Sequence, residues 1–135
     1  MSTPPMWPPP LLRDRSLVAQ IVLAGVLPVL FGAVCGVLLG ASGLWFQIVV
    51  NAGALGGVNA GFEHASLRGG FWRGISGGAL FACALYVTHA VRGVPALATL
   101  PVPLAAMAVF YAVMGTPFGV LGAWLRGRRE RAAAG

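Results

Sequence analysis

Four apolar blocks dominate this chain, and each is about as long as a bilayer is thick. They fall at about 17–40, 44–62, 74–91 and 104–125. At 1.5 Å of rise per residue they cover roughly 27 to 36 Å, against a hydrocarbon core of about 30 Å. A single segment crossing lipid must satisfy its own backbone, which makes it a helix. The expected fold is therefore all-α: a polytopic membrane protein with four transmembrane helices. Composition agrees. Only 9% of the 135 residues are charged, where a soluble domain carries about 25%. Pro28 lies inside the first block and is expected to kink it. One alternative makes the second block re-entrant and leaves three spans.

The flanks divide the chain into a proline-rich tail at 1–16, a membrane domain at 17–125 and a basic tail at 126–135. Five of the first ten residues are proline, and no apolar core follows a basic start. The opening is thus expected to be an extended tail and not a signal peptide. All nine basic residues are arginine, which reads as codon bias toward high GC content. Eight of them flank the spans on one side: Arg13, Arg15, Arg68, Arg73, Arg126, Arg128, Arg129 and Arg131. Arg92 stands alone on the other. With four spans, the positive-inside rule puts both termini in the cytoplasm, and the expected location is a bacterial cytoplasmic membrane. Trp45, Trp72 and Trp124 fall near span ends, where an interfacial belt places them. The net charge of +6 does not imply nucleic acid, because no soluble basic face exists to carry it. Arg68, Arg73, Arg126, Arg128, Arg129 and Arg131 are instead candidates for contact with anionic lipid head groups or a partner.

Glycine recurs at every fourth position: Gly32, Gly36 and Gly40; Gly53, Gly57 and Gly61; Gly70, Gly74 and Gly78; Gly115 and Gly119. In lipid, helices associate through close packing and not through a hydrophobic drive. A glycine stripe is a groove into which a neighbouring backbone fits, so these glycine-zipper faces are expected to pack helices. They either close one bundle or dock it onto a copy or a larger membrane complex.

The second block carries a polar stripe: Gln47, Asn51, Asn59 and Glu63, spaced by multiples of four and followed by His64. Amides at membrane depth are costly unless paired. One reading is interhelical hydrogen bonding; the other is a polar pathway with Glu63 at its cytoplasmic mouth. Glu63 is also placed to form a salt bridge with Arg68 or Arg73.

Nothing gathers a nucleophile, a base or a metal cluster in one place, so no enzyme activity, metal or cofactor is expected. Cys35 and Cys83 lie inside apolar blocks and are expected to be ordinary buried thiols. His64 and His89 fall at opposite ends of their spans, too far apart to share one metal. Two functions remain. The first is an accessory or structural subunit, packing onto itself or onto a larger membrane complex. The second is a small homo-oligomeric transporter or channel. A pore-forming lysis protein is a third reading that the residues do not separate from the second.

Overall fold

A computed structural model describes residues 9–135; residues 1–8, half of the proline-rich tail, lie outside the described residues. Among the described residues the chain is helical, with no strand. Its four helices are α1 (Leu17–Leu39), α2 (Gly43–Gly61), α3 (Leu67–Arg92) and α4 (Met107–Ala134). Short 3-10 turns at Leu12–Asp14 and Leu104–Ala106 lead into α1 and α4.

Serine starts three of the helices. Ser16, Ser42 and Ser66 each accept a hydrogen bond from the backbone N–H three residues on, which satisfies one of the free donors of a first turn. Gly93 ends α3 in the left-handed region, at φ 61°, as a C-terminal glycine does.

Two boundaries differ from those expected. The third helix begins at Leu67 and not near 74, because Ser66 caps it and draws most of the polar link into helical register. The fourth runs to Ala134, so most of the basic tail is helix. Arg126 and Glu130, four residues apart, pair at 2.7 Å along it, the spacing that supports a helix.

Among the described residues, three stretches are long and apolar enough to cross a membrane: Leu17–Leu39, Leu67–Arg92 and Leu104–Ala134. They make the chain an integral membrane protein by length and composition. The second helix has 19 residues, but Gln47, Asn51 and Asn59 dilute its apolar character. Large apolar side chains cover the outside; Val91 is 82% exposed and Leu17 71%. Such a surface suits lipid and not water.

The helices meet through glycine. In antiparallel α3 and α4, a Cβ at Gly70 would strike Gly119 O, one at Gly74 would strike Gly115 O, and one at Gly78 would strike Tyr111 O. Helix α1 runs parallel to α3, with Gly32 against Phe81 O and Gly36 against Leu85 O. Helix α2 runs parallel to α4, with Gly61 against Gly119 O, Gly57 against Phe118 and Gly122 against Val58 O. Gly53 seats the Phe31 ring of α1, and Gly40 meets Val94. All eleven glycines singled out above therefore lie against atoms of their own chain. The space between the helices is closed further by Cys35, Leu39, Phe46, Phe81, Ala82, Leu85 and Met107. There the Phe81 ring packs edge-on to Tyr111 at 5.0 Å. Of the two thiols expected to be buried, the structure buries Cys35 but leaves Cys83 on the outer face.

Candidate functional site

The alternating helix directions bring the N-terminal segment, the end of α2, the start of α3 and the end of α4 to one end of the bundle. Eight arginines collect there, while Arg92 donates to Val37 O at the other end.

Glu63 and His64 sit in the link just past α2. Glu63 is bridged at 3.1 Å by Arg15, not by Arg68 or Arg73, and its side chain is 11% exposed. The same residue holds the N-terminal segment through its backbone: Leu12 N–H donates to Glu63 O at 2.9 Å. Gln20 adds a bond to Arg15 O at 2.9 Å. Burial raises the Glu63 carboxyl above its ordinary range, and Arg15 and Arg73 pull against that shift. Burial also lowers the His64 imidazole, and the nearby Arg73 charge lowers it further. A cavity of about 260 Å³ lies beside the pair, lined also by Leu11, Leu12, Arg13, Gln20, Ala65 and Ser66.

Arg73 and Arg126 are not at the lipid or partner surface where the sequence reading put them. Both are buried, at 9% and 7% exposure, because each is needed by a backbone carbonyl. In α1 the turn Val22–Val26 is π-helical, and Leu27 N–H bonds to Val22 O, five residues back. Leu23 O would pair with residue 28 in that register, but residue 28 is proline and has no N–H. Arg73 Nη2 supplies the missing donor at 2.6 Å. A Cβ on Gly77 would stand 3.0 Å from the same guanidinium, so glycine there leaves it room. Arg126 donates from Nη1 to Phe62 O and to Pro9 O, both at 2.7 Å. It thereby caps the end of α2 and fastens the N-terminal segment across it. Arg68, Arg128, Arg129 and Arg131 are exposed, with Arg128 lying 5.0 Å over the Trp124 ring.

The polar stripe does not stay together. Glu63 and His64 turn in under the N-terminal segment, whereas Gln47, Asn51 and Asn59 are exposed on the outward face of α2. Asn51 Nδ2 donates to Gln47 O at 2.7 Å, which leaves its own carbonyl free. The reason is competition between faces. The opposite side of α2 carries Phe46, Gly53, Gly57 and Gly61, and these make the close contacts with α1 and α4.

His64 lies at the arginine-rich end, and His89 is buried toward the other, near Gly36 and Gly40. Among the described residues, no three His, Cys, Asp or Glu side chains are grouped to hold a metal. Sequence reasoning missed Arg15, Gln20, Leu23 and Pro9. Only Leu23 had a readable signal, as the carbonyl five residues before Pro28. No protein-family model, curated protein or solved structure matches this chain.

Proposed function

We propose that this chain is a non-catalytic integral membrane protein that works by packing: an accessory or structural subunit, docking within the bilayer onto itself or onto a larger membrane complex. In this reading all four helices cross a bacterial cytoplasmic membrane with both termini inside. The gathering of eight arginines at one end supports that orientation. Exposed Arg68, Arg128, Arg129 and Arg131 then lie level with anionic lipid head groups.

One observation carries the reading. The amides of α2 face outward, while the space between the helices is filled by apolar side chains and glycine contacts. A polar face turned to lipid calls for another protein surface. A filled bundle gives a single copy no polar path. The test is the mass of the intact particle, purified from its native membrane in mild detergent. A homo-oligomer or a stoichiometric complex is expected, and a lone monomer at every detergent concentration would end the reading.

The second reading, transport, draws on Glu63, largely buried beside its cavity. Any path then runs between copies. Glu63→Gln must alter flux while the particle stays whole; unchanged flux removes that reading.

A further inference from the structure

We infer that the outward face of α2 is the interface with a second copy of this chain, formed by two α2 helices packed in parallel about a two-fold axis. The inference rests on the docking reading above and names the partner.

The face is a seam. Leu44, Ile48, Asn51, Leu55 and Asn59 follow one another in steps of four, three, four and four, and every one of them is exposed. The first three steps, from Leu44 to Leu55, are the spacing by which left-handed helix pairs interlock side chains, and Asn59 continues the same face one turn on. Leu44 is 69% exposed, Leu55 74% and Ile48 47%, so the apolar members of the seam are left largely uncovered by their own chain. Beside them Gly56 is open, with no atom near where a Cβ would be. It is unlike Gly53, Gly57 and Gly61, each of which is filled by α1 or α4.

The polar groups choose the occupant. The seam has no charged side chain, so it offers nothing to an acidic or basic partner. Its polar groups are amides, and each amide is donor and acceptor at once. An identical face turned through a two-fold axis therefore supplies the complement of each group. Asn51 comes opposite the partner copy's equivalent, with its unused carbonyl facing a donor. An asparagine in the middle of such a seam fixes register and helix number. The topology keeps the two copies in the same orientation, because both carry their arginines at the same end. Pairing also hides the amides that keep α2 from being apolar enough to face lipid alone.

The test is photocrosslinking in native membranes, with the full chain carrying p-benzoylphenylalanine at Leu55, at Leu44, or at Val113 on the outer surface of α4. Val113 is 63% exposed but lies off the seam. The expected result is a product at twice the chain's mass from both seam positions and none from Val113, with the peptide crosslinked at Leu55 mapping to α2. Two seam positions guard against one substitution failing to fold. A seam product containing a different protein overturns the second copy as occupant and leaves the docking reading standing. No product from either seam position, in chains that are inserted and folded, overturns the α2 interface, while the docking reading falls only if the particle's mass is that of a monomer. Equal dimer from Val113 overturns the inference as well, since contact would then be unspecific.

Discussion

Arg73 of α3 donates to Leu23 O of α1 at 2.6 Å, across fifty residues of sequence. It fills the acceptor that the π turn and Pro28 together leave open. A charge is held within a membrane helix here by a backbone defect in its neighbour. Replacing Arg73 by Met keeps the stem and removes the donors. Hydrogen bonds to charged groups contribute roughly 1.5–3 kcal/mol, and a loss of that order is expected in detergent unfolding. In the Pro28→Ala background the restored N–H takes up the helical bonding, and the loss should shrink. An equal loss in both backgrounds would show that Arg73 does not act through Leu23 O.

The glycine contacts differ in how much room they leave. Gly74→Val forces α3 away from Gly115 and Thr116 of α4. Overpacking typically costs about 1–3 kcal/mol, and backbone-to-backbone contacts belong at the upper end, since neither side can yield. Gly25→Ala meets no atom within 4 Å and should be neutral or slightly stabilising. Thermal unfolding in one detergent compares them, and equal midpoints would refute the packing account.

Arg126 is expected to hold the N-terminal segment. In Arg126→Gln the bonds to Pro9 O and Phe62 O are lost, and the amide of Leu12, which donates to Glu63 O, should exchange with solvent much faster. Arg131→Gln, on an exposed residue, should leave that exchange unchanged. Protection of Leu12 in both variants would place the anchor elsewhere.

Glu63 should titrate above its ordinary value of 4.5. Its folded pKa exceeds its unfolded one, so its contribution to stability is fully present below the unfolded value. It is lost as pH rises through the folded value. His64 works the other way: its lowered pKa contributes above 6.5 and is lost as pH falls through the folded value. The chain has two glutamates, Glu63 and Glu130, so carboxyl-labelled glutamate gives two assignable NMR signals. A midpoint for Glu63 at or below the ordinary value would mean that Arg15 and Arg73 outweigh burial.

The apolar blocks made the helices legible, because lipid leaves a chain few alternatives. Close approach needs glycine at particular points, since only a missing Cβ admits Gly119 O beside Gly70. The start of α3 was not legible: Arg68 and Arg73 read as a polar link, although Ser66 is a good N-cap. The buried arginines were hidden for a related reason. A charge near a span end is ordinarily a solvated one, and the carbonyls that claim Arg73 and Arg126 lie far away in sequence. The amide stripe was visible as a stripe. Which way it faced depended on the opposite side of α2 filling more tightly.

The bond from Arg126 to Pro9 joins positions 117 residues apart, and it bears on how the protein is made. Helix α2 leaves the ribosome well before α4, the helix that fills Gly57 and Gly61. Until α4 arrives, the glycines of α2 that it fills stay unpacked. Biogenesis thus passes through a vulnerable interval that ends when the last helix reaches back to Pro9. Chaperones and quality-control proteases of the membrane would meet the chain in that interval.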